Sequence, residues 1–481
     1  MAQRLIVASN RGPVSWKRTD DGGPEPRRGF GGLVTALGGA LQSEPGTWVS
    51  VALSETDREV ASSHHGEPFE VDADGSAFRL RLLDAGERYD PYYNEVANRL
   101  LWFTLHQLWG DPYEPSGEGW RDAWEAYVGV NSQIARAVVD AAGDSDAEVY
   151  LQDYHLCTAG PVVRETLPEV PILHYLHTPW VEPSYLRRLP DTVAEEVLRG
   201  LLAADVVAVS SPMWRDAFRR CAVEVVGARP DTDGVVLDGR RTVIADFVLG
   251  VDLDDLEASA RSEEAVAAGA LLDDELGERQ LILRVDRTDL SKNILRGLRA
   301  YGLLLDRHPE LRGRVWHYAH LNPSRQDVAE YRAYLDACRQ EADRLRERFG
   351  DDAVELYVGD DYPRAVAALQ RSDVLLTNPV MDGTNLVAKE GPVLNRNDGV
   401  VVLSRAAGAA AMLDEGALLV NPYDVEAQAA ALHRALTMDP DERAARAGRL
   451  RAAARRGAPA EWFDAQRSAL RSAVRGRPRR P

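Results

Sequence analysis

Asp382, Asn385 and Glu390 fall close together in the stretch LTNPVMDGTNLVAKEGPVLN, residues 376–395. Leu375, Leu376 and Thr377 end an apolar run of the kind a buried parallel strand shows. Pro379 and the Asp382-Gly383 pair stop it, because proline removes a ladder donor and glycine opens positive φ. Thr384 and Asn385 then offer side-chain oxygens to cap a helix carrying Leu386, Val387 and Ala388. Such a helix start presents unpaired N–H groups and a positive dipole end, which together suit a phosphate. Asp382 before it and Glu390 on it are placed to take hydroxyl groups. A strand–turn–helix unit alone is more often scaffold than site, so the reading needs other residues.

Two further polar stretches stand where strands should end. Residues 148–151 read as a strand delivering Gln152-Asp153-Tyr154-His155, and residues 170–176 as one delivering His177-Thr178-Pro179-Trp180. Open parallel sheets hold ligands at the carboxyl ends of their strands. One strand-end histidine is usually structural, and two in succession shift the balance towards a site. A third loop, Arg287-Thr288-Asp289-Leu290-Ser291-Lys292, follows a strand at 280–285. The glycines at Gly29, Gly31 and Gly32 do not fit G-x-G-x-x-G, because valine stands at 34. That loop reads equally as one that closes over a ligand and as plain surface.

The elements that must position these residues form two α/β halves. Short apolar strands alternate with helical segments from Leu5 to Leu249, and the pattern restarts at Gln280 after an acidic, alanine-rich stretch. A helix is expected to open at Tyr92 and run through Trp102 to Trp109. The predicted organisation is one Rossmann-like domain at 1–250 and a second at 251–455, with a helix at 456–474 and a disordered tail at 475–481. Two doubly wound sheets imply a ligand cleft between them.

Composition narrows the class. The 481 residues suit two to four domains at about 150 residues each. With 57 Lys plus Arg against 76 Asp plus Glu, the net charge of −19 argues against nucleic-acid or anionic-membrane partners. Three cysteines without metal or disulfide spacing suggest a reducing, cytoplasmic setting. No apolar run approaches the ~18 residues a membrane span needs.

The motifs SNRGPV, GGLVTAL, YYNEVANRLLW, QDYHL, LHTPW, VDRTDLSKN, PSR and DGTNLVAKE occur in that order. Together they resemble glycosyltransferase family 20, the trehalose-6-phosphate synthase family, over residues 3 to 455. The resemblance implies a GT-B fold and a retaining transfer of glucose from a nucleotide-glucose to glucose 6-phosphate. It implies that Arg11 and Arg325 hold the acceptor phosphate, and that Tyr93 and Trp102 contact the acceptor. Asp153 would bond acceptor hydroxyls, His177 the donor glucose, and Arg287 and Lys292 the leaving diphosphate. Asp382 would bind the donor glucose, Gly31 and Gly32 would admit the donor, the amides of Asn385, Leu386 and Val387 would take its phosphate, and Glu390 its ribose.

Such enzymes need no cofactor, and no metal is expected. Asp-x-Asp occurs at Asp72, Asp144, Asp231 and Asp252, as chance provides in so acidic a chain. The expected partners are small-molecule substrates, and a homo-oligomer is compatible with the chain. Three departures leave the sugar open. Val51 stands where the family has a second tryptophan, Asn293 replaces a glycine, and GPVLNRNDG follows Glu390 instead of an alanine-rich run. The last two lean towards the related pseudo-glycosyltransferases. A glucosylglycerol-phosphate-type synthase and a non-catalytic sugar-phosphate sensor are the other readings.

Overall fold

Runs of Val, Ile and Leu flanked by glycine-, proline- and asparagine-rich turns become the buried strands of two parallel sheets. The computed structural model describes residues 4–29, 34, 37–38, 41, 46–73, 75–110, 119–143 and 146–477. Gly31 and Gly32 lie outside the described residues. The chain divides into two units, one of residues 1–249 with 459–481 and one of residues 250–458.

In the first unit the strands are β1 (Arg4–Ala8), β2 (Val14–Arg18), β3 (Pro24–Arg28), β4 (Gly46–Val51), β5 (Phe69–Ala73), β6 (Ser76–Leu83), β7 (Ala147–Gln152), β8 (Ile172–Tyr175), β9 (Val206–Val209), β10 (Arg229–Pro230), β11 (Gly234–Leu237) and β12 (Arg240–Asp246). Among the described residues, ten of them pair in the order β10-β11-β12-β9-β8-β7-β1-β4-β6-β5. The strands from β12 to β6 are parallel, with antiparallel ribbons at both edges. From β1 the chain moves one way through β4 and β6, then returns to β7 on the other side. The strand order therefore reverses between β1 and β7, and a doubly wound sheet opens its ligand crevice at that point. Arg11 follows β1 and Asp153 follows β7.

The second unit holds β13 (Gln280–Arg287), β14 (Val315–Asn322), β15 (Val354–Val358), β16 (Val374–Thr377), β17 (Val400–Ser404) and β18 (Leu418–Val420). All pair parallel in the order β15-β14-β13-β16-β17-β18. Here the order reverses between β13 and β16. Arg287 ends the first, and the loop to Asp382 leaves the second. Apolar clusters cover both faces, one including Leu281, Leu283 and Leu403, the other Ile282, Leu304 and Leu376.

Three expectations change in the structure. The helix expected at 456–474 is present as Pro459–Arg475, but it does not stand apart from the two domains: it groups with the first unit. Arg467 and Arg471 hold the buried Glu148 at 3.0 and 2.7 Å, contacts that sequence separation conceals. Residues 475–477 are not a disordered tail either. Arg475 is helical, and Arg477 binds Asp205 and Glu169. Thirdly, the helix expected from Tyr92 to Trp109 is π-wound over Pro91–Leu101 and α-helical only over Trp102–Leu105. The winding matters for the site. In an α-helix nine residues turn through about 900°, which would set Tyr93 and Trp102 on opposite faces. The wider π turn, roughly 4.4 residues, brings them to nearly the same face.

Candidate active site

The first unit gathers its polar residues at the β1–β7 reversal. Beyond β1, the Ser9 hydroxyl donates to the Arg11 carbonyl at 2.6 Å and accepts the Trp48 indole N–H at 2.7 Å. Asn10 accepts from the Tyr92 hydroxyl at 3.1 Å, tying this loop to the π-helix. The Arg11 side chain is exposed. The π-helix wraps the segment after β7. Tyr93 stacks on His155, Trp102 lies 5.6 Å from Tyr154, and Tyr154 donates to Asn98.

Asp153 sits at φ 69° and ψ 174°. That region is close to glycine-only and costs about 1–3 kcal/mol, a strain that persists where surrounding structure enforces it. The enforcing bonds are visible. Its carboxylate Oδ1 accepts from the Tyr154 and His177 backbone N–H groups at 3.0 and 3.2 Å. Its carbonyl is 3.0 Å from His174 Nε2. Asp153 and His177, 24 residues apart, are thus brought together. Burial, and then the neighbouring His174, push His177 down to about 3, so its ring is neutral at physiological pH. With the Gln152 amide as assigned, His177 Nε2 donates to Gln152 Oε1 at 3.0 Å and Nδ1 is left as an acceptor.

Behind His177 lies a residue that sequence reasoning missed. Trp462, from the last helix, packs edge-on against Tyr175 at 4.9 Å and 6.1 Å from the His177 ring. Nothing local marks it, because it arrives 285 residues later in the chain.

The second unit's residues converge at the β13–β16 reversal. Lys292 forms an ion pair with Asp382 and lies 4.0 Å from Asp286. Burial alone would lower the lysine, yet Asp382 and Asp286 outweigh it and raise Lys292 above its ordinary value. It therefore stays a cation. Asn385, at φ 57°, donates to Asp382 at 3.1 Å and accepts the Ala388 N–H at 3.0 Å, so it caps the helix Val387–Leu394. Leu386 and Val387 form the first, half-buried turn of that helix. Glu390 is half-buried one turn on, and burial pushes it up to about 7.

A second cationic group surrounds Asp289, whose side chain is fully buried. Its Oδ1 accepts from the Ser291 N–H and hydroxyl at 2.9 and 2.8 Å, capping the turn that carries Lys292. Its Oδ2 holds Arg325 at 3.0 Å and lies 3.8 Å from Arg287. Arg325, at φ 48°, also donates to the Tyr331 hydroxyl at 2.6 Å. Asp289 orients both guanidiniums and escaped the sequence reading, although it stands two residues after Arg287. Beneath lies Arg284, wholly buried, bonded to Asp286 at 2.7 Å, to the Lys292 carbonyl at 2.9 Å, and to Asn378.

Asn293 explains its own departure. It adopts φ 60° and ψ 36°, the left-handed conformation for which glycine is usual and asparagine the commonest substitute. Its amide donates to the Asn378 and Pro422 carbonyls at 2.9 and 2.7 Å. Among the described residues, eight non-glycine positions have positive φ, and Asp153, Asn293, Arg325 and Asn385 are four of them. Backbone strain is thus concentrated where the polar residues meet.

The sequence matches the family model for glycosyltransferase family 20 over residues 3–472. The chain belongs to that family. It is similar to a bifunctional trehalose-6-phosphate synthase/phosphatase of Thermoproteus tenax, 33% identical over 454 residues, which cover 92% of this chain and 60% of the relative. The chain thus spans less than two thirds of that relative. Among solved structures, it resembles one from E. coli bound with UDP-2-fluoro glucose. The TM-score is 0.84 and the identity 26%, covering 99% of this chain and 100% of the other. A UDP-forming α,α-trehalose-phosphate synthase from Burkholderia xenovorans, in complex with glucose-6-phosphate, gives 0.81 and 28%, covering 98% and 100%. The family fold, GT-B with two Rossmann-like units, is that of this chain.

Proposed function

We propose that this chain is a retaining glucosyltransferase that moves glucose from UDP-glucose to glucose 6-phosphate, giving α,α-trehalose 6-phosphate and UDP. The observation that carries the reading is the cationic pair at the β13–β16 reversal, Lys292 against Asp382 and Arg287 against Asp289. A diphosphate leaving group gains charge as the bond from anomeric carbon to phosphate oxygen breaks, and two fixed cations stabilise that charge. The acceptor hydroxyl bonds to the anomeric carbon on the same face, and its proton passes to the departing phosphate oxygen. No carboxylate pair of the glycosidase kind is required. The UDP assignment is supported by the B. xenovorans relative's description as UDP-forming and the E. coli structure's UDP-sugar ligand. Catalysis without a metal and a cytoplasmic location belong to the same proposal.

Two of the three departures, Asn293 and the GPVLNRNDG run, carry no argument for another sugar. Asn293 does the backbone work of the missing glycine. In the GPVLNRNDG continuation, Gly391 packs where a Cβ would lie 2.3 Å from Leu375 Cδ2. Asn395 donates to the Leu369 and Ser372 carbonyls at 3.1 and 2.7 Å. These residues solve a packing problem between helix and sheet.

Two expected results test the assignment of roles. Arg325→Ala should weaken the enzyme towards glucose 6-phosphate by about 2–5 kcal/mol, read as a raised acceptor KM with donor binding nearly unchanged. An equal loss towards an unphosphorylated acceptor would remove Arg325 from the phosphate site. Glu390 supplies a pH dependence. Its carboxyl titrates at about 7, above its ordinary value, so ionisation costs the free protein stability as pH rises through that range. The ionised form is the stronger acceptor for both ribose hydroxyls, because its bonds are charge-assisted. Calorimetric UDP affinity should therefore rise between about pH 6 and about pH 8, and Glu390→Gln should flatten that rise.

A further inference from the structure

His308, Glu310 and His433 make a cluster that the transfer reaction does not use. His308 terminates the helix Ile294–Arg307, Glu310 lies in the short turn Pro309–Leu311, and His433 belongs to the helix Val425–Leu436. The two imidazoles stack face to face, with centroids 3.6 Å apart and planes 10° from parallel. Glu310 Oε1 lies 3.2 Å from His308 Nδ1. One ligand atom from each of the three residues lies within 4.8 Å of the other two.

We propose that these three residues form a Zn²⁺ site, distinct from the catalytic residues, that clamps two helices of the second unit together. Two imidazoles and one carboxylate are the ligand set of open tetrahedral zinc sites, in which water fills the fourth position. Magnesium and calcium take oxygen ligands and do not compete for such a set. Tetrahedral bonds of about 2.1 Å put ligand atoms about 3.4 Å apart. An imidazole nitrogen binds in its ring plane, so zinc would part the stacked rings as well as draw the cluster in by about 1.4 Å at its widest, both by rotation of part-exposed side chains.

The two helices start together near Lys292. Asn293 precedes the first and donates to the Pro422 carbonyl, just before the second. The second helix's Gln428 accepts from Asn378 at 2.6 Å. The first helix is about 21 Å long, so the ion would sit far from Lys292 at the opposite end of the same helix pair. A clamp there fixes the angle between the helices and leaves the chemistry alone.

The test titrates the metal-stripped full-length protein with ZnCl₂ and follows heat and melting temperature. One ion per chain should bind with a Kd of about 10 µM or tighter and raise the melting temperature. Both His433→Ala and His308→Gln should weaken binding at least about 30-fold, with melting temperatures in the absence of zinc close to wild type. Co²⁺ at the site should give the strong visible absorption of a four-coordinate ion, absent in either variant. No saturable binding to the wild-type protein would overturn the proposal. So would binding that both variants retain, which would place the ion elsewhere.

Discussion

Lys292→Ala is expected to lower kcat about 10²–10³-fold, with a much smaller change in the KM for either substrate. The lysine is held by Asp382 and lies near Asp286, so it is a fixed cation that needs no reorganisation as negative charge develops. Under the proposed reaction the charge it would stabilise grows only as the donor bond breaks, which puts the loss in kcat. Arg287 would perform a related task from a more exposed position, where water shares the stabilisation. Its alanine variant should lose less. Lys292→Arg should fail to restore the rate, because a guanidinium fork does not fit a point-charge site between two carboxylates. Steady-state kinetics of the three variants decide this. A Lys292→Ala enzyme retaining wild-type kcat would remove the residue from the reacting centre.

Arg284→Ala should be the most destabilising single change in the second unit, by about 3–5 kcal/mol. The guanidinium is wholly buried and bonds Asp286, the Lys292 carbonyl and Asn378. Removing it leaves Asp286 in place with only Lys292 at 4.0 Å to offset its charge. Burial already pushes Asp286 up to about 6 despite both cations. Without Arg284 it should titrate higher still. Because the variant's folded-state value lies above the wild-type one, the deficit is full only at alkaline pH, above the variant's raised value, where both proteins must ionise Asp286. It shrinks as pH falls from there to about 6, below which both proteins hold the carboxyl protonated. Urea denaturation at about pH 5 and about pH 8 should show this narrowing. A deficit independent of pH would mean that lost packing, and not the orphaned carboxylate, carries the cost.

Much of this arrangement was readable before the structure, for a physical reason. Buried parallel strands are continuous apolar runs, as LIVA, VVAV and VLLT are, so their carboxyl ends can be found by inspection. Asp153, His177, Arg287 and Asp382 all lie at or just after such ends. What escaped depended on long-range or cooperative geometry. The π-winding of Pro91–Leu101 changes only the phase of backbone hydrogen bonds, which no residue type announces. The return of the last helix to the first unit rests on Glu148 meeting Arg467 and Arg471, more than 300 residues away. Asn293 looked like a lost glycine until its φ showed the same backbone conformation. Asp289 was visible as a residue, but its role depends on Arg325 reaching it across 36 positions.

Under the proposed reaction the chain joins two glucose units with retention at the donor carbon. Incubating it with UDP-glucose and ¹³C1-labelled glucose 6-phosphate, and following both anomeric carbons by NMR, decides this. Equimolar UDP is expected, with a single product in which both anomeric centres of the new linkage are α. A β configuration at the donor-derived carbon, or UDP release only with a different phosphorylated acceptor, would contradict it.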